Sequence, residues 1–96
     1  MLESQIERYF CREIKKLGGR TLKLTPPGMA GMPDRLVLLP GGRVVFVELK
    51  APGEKPRPLQ RKRARELWGL GFGVVFIDSY QGVDTFIELW FKEVKS

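Results

Sequence analysis

Three ionisable side chains, Asp34, Glu48 and Lys50, flank one short apolar stretch of the sequence. Two carboxylates can hold a hard divalent cation such as Mg2+ or Mn2+, which prefers oxygen ligands, and the backbone carbonyl of Leu49 offers a further oxygen. A cation held in this way polarises a phosphoryl oxygen and lowers the pKa of bound water, and a lysine can stabilise charge that grows on phosphorus. The trio is therefore typical of phosphodiester hydrolysis, provided that the fold brings it together.

A predicted β-hairpin supplies that arrangement. Two apolar runs, residues 36–39 and 44–49, are joined by a Pro-Gly-Gly loop centred on Gly41. Residues at equal distances from this centre face each other, so Asp34 and Glu48 share one face, with Cβ atoms about 5 Å apart. The lysine two positions beyond Glu48 points to the same face. Without this register, an exposed strand end with an ordinary Glu/Lys pair would be the simpler interpretation.

The composition limits which partners the protein can bind and which kinds of catalytic or metal site it can contain. The 96 residues carry a formal charge of +6, which favours a polyanionic partner, most often nucleic acid. Histidine is absent and Cys11 is the single cysteine, so Ser-His-Asp and Cys-His triads, His-ligated zinc sites and internal disulfides are excluded. No segment has the pattern of a membrane span or a signal peptide. We therefore expect one domain over residues 1–96 in the cytoplasm, with no membrane partner.

The apolar periodicity predicts the element order α-β-β-β-α-β-α. Around the hairpin it places a helix at 3–17, a strand at 20–25, a helix from Pro58 to about residue 71, a strand at 72–78 and a final helix. Both faces of the hairpin strands are apolar, which predicts a central sheet covered on both sides. The residues expected to face the core are Ile6, Phe10, Ile14 and Leu17 in the first helix, Leu22 and Leu24 in the first strand, Leu59, Leu67 and Leu70 in the second helix, and Val83, Phe86, Ile87, Trp90 and Val94 in the last.

The final helix carries more large apolar side chains than so small a core needs. Phe86, Trp90 and Phe91 lie within six residues of one another. Helical spacing makes most of them core residues, and the surplus favours packing against a second copy of the chain. We therefore expect a homodimer.

The second predicted helix is strongly basic. Residues 55–65 include six arginines and lysines, which can hold a DNA backbone close to the trio; the alternative is an ordinary solvated helix face. Arg63 differs from the rest because it falls on the apolar stripe, where it could reach a carboxylate or a phosphate. The candidates for nucleic-acid binding are Arg57, Arg61, Lys62 and Arg65.

Three short motifs together resemble the VRR-NUC group of the PD-(D/E)XK nuclease superfamily. They are Gly31-Met32-Pro33-Asp34, Val47-Glu48-Leu49-Lys50 and Pro58-Leu59-Gln60, and the resemblance extends from the first helix to the strand that ends at Asp78. It implies an α/β, restriction-endonuclease-like α-β-β-β-α-β core, in which helices flank a mixed sheet, here with an added C-terminal helix. It also implies a DNA endonuclease that depends on Mg2+ or Mn2+ and acts in replication or repair. Some stand-alone phage or bacterial members resemble junction-resolving homodimers, which act on branched, Holliday-junction-like DNA.

The resemblance also assigns roles to individual residues. It makes Asp34 and Glu48 the metal ligands and Lys50 the catalytic lysine. Gln60 becomes the glutamine on the helix that follows the core motif, where its amide would bind a phosphate or a metal-bound water. Without the resemblance, Gln60 would be interpreted as one surface glutamine among charged neighbours.

A glutamate of the first helix often completes the metal site in this superfamily, and two candidates are present. At 100° per residue, Glu3 lies about 25° from the centre of the apolar stripe and Glu7 about 65°. The family pattern Glu-x-x-Ile also matches Glu3 to Ile6. We therefore expect Glu3 to add a metal ligand. The alternative is that Ser4 and Glu7 form a capping box, which would leave Glu3 outside the helix.

Two other functions stay open from the sequence. The chain could be a nuclease-like module that binds DNA without cutting it, although a degenerate domain usually loses the lysine or a carboxylate. It could also be an interaction protein whose basic surface only gives solubility. Salt-dependent retention on DNA distinguishes the nuclease and the binding module, which both predict it, from the interaction protein, which does not.

Overall fold

The computed structural model describes residues 1–91 and follows the predicted order of elements. The strands form one mixed sheet in the order β1-β2-β3-β4, antiparallel except for the parallel pair β3–β4. This is the α/β, restriction-endonuclease-like architecture expected from the sequence. The elements are α1 (Glu3–Lys16), β1 (Arg20–Lys23), β2 (Arg35–Leu39), β3 (Arg43–Leu49), α2 (Pro58–Gly69), β4 (Gly73–Ile77) and α3 (Tyr80–Phe91).

The register of the β2–β3 hairpin is the one predicted from its loop. Leu39 lies opposite Arg43, and Arg35 lies opposite Val47, so the turn is centred on Gly41. Gly41 and Gly42 both have positive φ, at 86° and 78°, a conformation that glycine adopts without steric cost. The register prediction is confirmed, and it brings residues 34 and 48 together at the open end of the hairpin.

One face of the sheet is fully buried and the other is only partly covered. Helices α1 and α3 pack on the first face, and α2 lies on the second over β3 and β4. On this second face, Leu36, Leu38, Val44 and Phe46 are half-buried. The prediction of a central sheet covered on both sides is confirmed, although α2 covers its face less completely than α1 and α3 cover theirs. The core against α1 and α3 consists of Ile6, Phe10, Ile14, Val37, Leu39, Val45, Val47, Leu49, Ile77, Val83 and Phe86.

Four leucines predicted to face the core are exposed instead. Leu17 is the C-cap of α1, just beyond its last buried turn. Leu22 lies in the edge strand β1 on the same face as α2, but α2 covers β3 and β4 and does not extend to β1. Its neighbour Thr21 turns inward to Cys11. Leu59 and Leu70 of α2 are also exposed, because the buried stripe of that helix is Gln60, Ala64 and Leu67.

The aromatic residues of α3 pack within the fold. Phe86 is buried, with its ring edge-on to Phe10 and stacked against Trp90. Trp90 and Phe91 are partly buried against the same core. Fewer apolar side chains of α3 are therefore available to pack against a second copy of the chain than the sequence implied. Val94, also assigned to this helix, lies outside the described residues. Within residues 1–91, no helix combines the length and apolarity needed to cross a bilayer.

The loop before Asp34 is fixed to the first turns of α2. Gly31 has a φ of 85°, and a Cβ built there would lie 2.7 Å from Leu59 Cγ and 3.0 Å from the Leu59 carbonyl oxygen. Arg63 Nε donates to the Ala30 carbonyl at 3.0 Å, so Arg63 ties down this loop rather than reaching a carboxylate of the trio. The glycine of the Gly-Met-Pro-Asp motif therefore permits close contact between the loop and the helix that carries Gln60.

We expect Gly31→Ala to destabilise the protein more than Gly28→Ala. Both glycines have positive φ, but a Cβ at Gly28 meets nothing within 4 Å. Gly28→Ala therefore measures the backbone strain alone, at about 1 to 2 kcal/mol. Gly31→Ala adds the clash with Leu59, at about 1 to 3 kcal/mol more. Chemical denaturation of both variants checks this, and equal losses would contradict the close packing of the loop.

Candidate active site

The open end of the hairpin holds Asp34 and Glu48 side by side. They form the next facing pair beyond Arg35 and Val47. The Asp34 backbone N–H donates to Glu48 Oε1 at 3.0 Å, and the Leu49 N–H reaches Asp34 Oδ1 at 3.4 Å. Each carboxylate is thus held by the backbone of the opposite strand, which fixes their relative positions.

Glu48, Lys50 and Gln60 form a buried polar network between β3 and α2. Their exposed fractions are 7%, 6% and 6%. Gln60 Nε2 donates to Glu48 Oε2 at 3.0 Å, and Lys50 Nζ donates to Gln60 Oε1 at 2.8 Å. Lys50 Nζ also lies 3.6 Å from Glu48 Oε2. A glutamine amide has both a donor and an acceptor, so Gln60 can bridge a carboxylate and an ammonium at once.

Gln60 is not the surface residue that its charged neighbours in the sequence suggested. Its Oε1 also accepts the Arg57 backbone N–H at 2.8 Å, which satisfies the first turn of α2. The burial of charged groups is favourable only when added hydrogen bonds accompany their mutual attraction. The Gln60 amide supplies these bonds, and its contacts are to Glu48 and Lys50 themselves.

Both carboxyl groups have a pKa above the ordinary value. For Asp34 the main cause is burial, which the Leu49 N–H and the charge of Arg35 oppose. For Glu48 the causes are burial and then the charge of Asp34, with Lys50 acting in the opposite direction. Neighbouring carboxylates that have lost part of their water are stabilised by a bound cation.

The donor set fits a hard divalent cation such as Mg2+ or Mn2+. Asp34 and Glu48 offer carboxylate oxygens, which these ions prefer to nitrogen or sulfur. No group of three or more acidic, histidine or cysteine side chains suited to a metal occurs in the part of the chain that the structure describes. Apart from Glu3, any further ligand would come from the backbone, water or substrate. The role of the Leu49 carbonyl as a metal ligand therefore stays a prediction.

Helix α1 begins two residues earlier than the alternative capping box requires. Leu2 is the N-cap, and its N–H donates to Gln5 Oε1 at 2.6 Å. Glu3 is the first helical residue, so the capping box of Ser4 and Glu7, which would leave Glu3 outside the helix, was the wrong alternative. Glu3 thus starts α1 close to the open end of the hairpin.

The two candidate glutamates of α1 have different surroundings. Glu7 forms a partly buried ion pair with Arg35, which ties α1 to β2. Glu3 is exposed, and its pKa is raised by partial burial and then by the charge of Asp34. The charge of Asp34 therefore acts on Glu3. Its role as a third metal ligand stays a prediction.

The four predicted nucleic-acid-binding residues lie on the outside of α2. All are exposed, and none forms an ion pair with a carboxylate of residues 1–91. By contrast, Arg63 is partly buried and pairs with Glu66 as well as with Ala30. Within residues 1–91, the basic side chains of α2 and its N-cap that have no ion-pair partner are Arg57, Arg61, Lys62 and Arg65.

Two residues beside the site were not singled out from the sequence. Arg35 forms an ion pair with Glu7, and its charge opposes the rise that burial causes in the pKa of Asp34. Glu54 accepts the Ala51 N–H at 3.0 Å, and its charge raises the pKa of Glu3. The position of Arg35 directly after Asp34 was a usable signal. No pattern in the sequence marked Glu54, because its place depends on the path of a loop.

We expect Asp34→Asn to stabilise the metal-free protein near pH 7. The folded-state pKa of Asp34 is raised, so its ionised form destabilises the fold above that pKa, and this cost disappears as the pH falls below the ordinary pKa. The amide oxygen introduced by the substitution can still accept the Leu49 N–H. Thermal unfolding in a chelator should therefore show a higher Tm at about pH 7 and little difference at about pH 3.

The control for this variant is Asp84→Asn. Asp84 is exposed and accepts the Tyr9 hydroxyl at 2.6 Å, so an asparagine there keeps the contact. It should not reproduce the gain near neutral pH. A Tm for Asp34→Asn at or below that of the parent at pH 7 would contradict the electrostatic description of the site.

The chain is similar in sequence and in fold to known proteins. No family model matches the chain. A curated protein of Acyrthosiphon pisum secondary endosymbiont phage 1, described as "Putative nuclease p44", is 48% identical over 77 residues, which are 80% of this chain and 83% of that protein. Among solved structures, one described as "VRR_NUC domain protein" superposes with a TM-score of 0.78 at 19% identity, over 96% of this chain and 89% of the other, a likeness of fold alone.

A second solved structure is more similar in sequence. It is described as "VRR_NUC domain" and superposes with a TM-score of 0.85 at 35% identity. The match covers 92% of this chain and 96% of the other. Taken with the motifs around Asp34, Glu48 and Gln60, this similarity shows that the chain belongs to the VRR-NUC family of nucleases.

Proposed function

We propose that the protein is a divalent-metal-dependent DNA endonuclease that hydrolyses phosphodiester bonds in the cytoplasm of a bacterial or phage-infected cell. The observation that carries the proposal is the buried network of Glu48, Lys50 and Gln60 beside Asp34. This network lies at the first turn of α2, whose outer face carries free basic charges. A phosphate backbone held along α2 would therefore pass close to the carboxylates.

The two carboxylates would hold Mg2+ or Mn2+, which supplies a polarised phosphoryl oxygen and an activated water. The hydrogen bond that each of Asp34 and Glu48 accepts from the opposite strand supports this role, because it fixes the carboxylate oxygens relative to each other. Glu3 would add a ligand from α1, and the Leu49 carbonyl another. Preorganised oxygens lower the reorganisation that the reaction requires.

Lys50 would act on the charge that develops at phosphorus or on the attacking water. Its ammonium is buried and held by Gln60 and Glu48, so its direction is fixed. In a site with little water, a fixed positive charge stabilises a developing anion more strongly than it would in solvent. Gln60 is then a positioning residue, because it acts through Glu48 and Lys50.

The proposal includes branched DNA as the preferred substrate and a homodimer as the active form in replication or repair. Two copies of the chain would supply two sites, as the cutting of both strands of a junction requires. The partly exposed surface of α3, including Leu89, is a candidate for the contact. Sedimentation analysis, run beside cleavage of junctions, flaps and duplexes of equal length, tests both parts.

The alternative is a module that binds DNA without cutting it. The intact set of two carboxylates and a lysine argues against it, since binding alone requires no buried charged network. Incubation of the protein with branched and linear DNA in Mn2+ separates the two functions. Retention without any nicking would favour the binding module.

We expect Glu48→Ala and Lys50→Met each to lower Mg2+-dependent nicking of DNA by more than about a hundredfold. The first removes a candidate ligand and the second the candidate catalytic ammonium. Both residues are buried, so Asp34→Asn is the sharper variant, because it should remain folded and yet lose activity. Initial rates of plasmid nicking measure the effect.

The matched control is Glu13→Gln. Glu13 lies in α1 and pairs with Lys16, in the helical turn farthest from Glu3. This variant should nick at the rate of the parent protein. Undiminished nicking by folded Asp34→Asn and by Lys50→Met would overturn the assignment of the active site.

We expect Arg61→Ala and Arg65→Ala each to reduce the salt dependence of duplex binding. Each lost phosphate contact should lower the slope of log K against log salt concentration by about 0.9. Lys16→Ala makes the same change in net charge at a lysine paired with Glu13 and should leave the slope unchanged. Slopes that fall equally in all three variants would indicate a general charge effect rather than a binding surface on α2.

A further inference from the structure

We propose that Trp68 stacks on an unpaired base of DNA bound along α2; this inference rests on the proposed function. Trp68 lies near the C-terminal end of α2 and is 50% exposed. Within residues 1–91, its ring has no aromatic or cation–π neighbour, and it does not join either core cluster. A tryptophan is usually mostly buried, so an open ring on a helix surface calls for a function.

Trp68 belongs to the same stripe of α2 as the free arginines. At 100° per residue, Arg57, Arg61, Arg65 and Trp68 fall within an arc of about 80°. The centre of this arc lies about 90° from the centre of the buried stripe formed by Gln60, Ala64 and Leu67. Lys62 lies outside the arc. The stripe is therefore a line of three positive charges with an open aromatic ring at its far end.

Trp68 lies at a defined distance along α2 from the candidate active site. Gln60 contacts the candidate active site, and Trp68 follows it by eight residues. At a rise of 1.5 Å per residue, the separation along the helix is about 12 Å. This corresponds to three or four base steps at 3.4 Å each. A base on Trp68 would therefore lie about three to four nucleotides from the phosphodiester that is cut.

The positive charge of the stripe indicates which kind of molecule binds there. A DNA strand offers phosphates for the arginines and the face of a base for the ring, so it matches both parts. A second copy of the chain would bring the same positive stripe toward a molecule whose net charge is already +6, which is unfavourable. The neighbouring aromatic Phe72 packs edge-on to Phe46 and is thus already engaged.

The ring requires a base that is not already stacked on both sides. In a continuous duplex every base face is covered by its neighbours, whereas bases in gaps, flaps and junctions leave a face open. Trp68 would therefore favour branched or gapped DNA over plain duplex. It would do so without reading sequence, because every base has an aromatic face.

The test measures the affinity of the whole chain, in a chelator that prevents cleavage, for a flapped duplex and for a continuous duplex of equal charge. We expect Trp68→Leu to bind the flapped DNA roughly 5- to 100-fold more weakly and the duplex within about twofold of the parent. Trp68→Phe should retain most of the preference. Leu70→Ala removes a 74% exposed apolar side chain that cannot stack and should change neither affinity.

A spectroscopic measurement makes the test independent of affinity. The chain has two tryptophans, so in a Trp90→Phe background the emission comes from Trp68 alone. The flapped DNA should quench that emission, and the continuous duplex should not. With the parent protein in Mg2+, cuts should lie about three to four nucleotides from the branch point.

Four results would overturn the inference. Equal losses on flapped and continuous DNA would reduce Trp68 to a general contact. A smaller species in sedimentation of Trp68→Leu would show that a second copy covers the ring. Failure of the parent protein to bind any DNA would overturn the proposed function, and this inference with it. Normal duplex binding with no effect of Trp68→Leu would overturn this inference alone.

Discussion

The structure depends on two carboxylates that one hairpin holds in contact. Asp34 and Glu48 face each other across β2 and β3, and each accepts a backbone N–H from the other strand. Burial raises the pKa of both carboxyl groups, and the charge of Asp34 raises that of Glu48 further, so the metal-free fold carries an electrostatic cost. A protein retains such a cost where the charges serve a function, and the function we propose for them is the binding of a cation. Contacts from the rest of the chain reduce this cost and hold the two carboxylates in place.

The elements around the hairpin each provide one part of that arrangement. Helix α2 supplies the amide of Gln60, which connects Glu48 to Lys50 while both are buried. Helix α1 is tied to β2 by Glu7 and Arg35, which leaves Glu3 near the site. The loop at Gly31 packs directly on α2. The position of the Asp34 carboxylate therefore depends on contacts with two different helices.

The sequence predicted the element order and the hairpin register because both depend on local rules. Loop length fixes strand register, and a shift of one residue would turn Asp34 to the other face. The inward stripe of α2 was misassigned because a polar residue, Gln60, occupies a core position and exposed leucines imitate an apolar stripe. Hydrophobic periodicity does not detect a buried amide whose partners lie ten and twelve residues away in the sequence. The charge pair of Arg35 and Glu7, with partners far apart in sequence, was missed for the same reason.

Metal-induced stabilisation tests the central claim most directly. Thermal unfolding of the parent protein and of Asp34→Asn should be followed at about pH 7 while Mn2+ or Mg2+ is titrated. On this account, the parent binds the cation through both carboxylates. The Tm of the parent should rise with cation concentration, because an ion that binds the folded state alone stabilises it. The variant should begin at a higher Tm and respond little. No rise in the parent, or an equal rise in both, would contradict a cation site between Asp34 and Glu48.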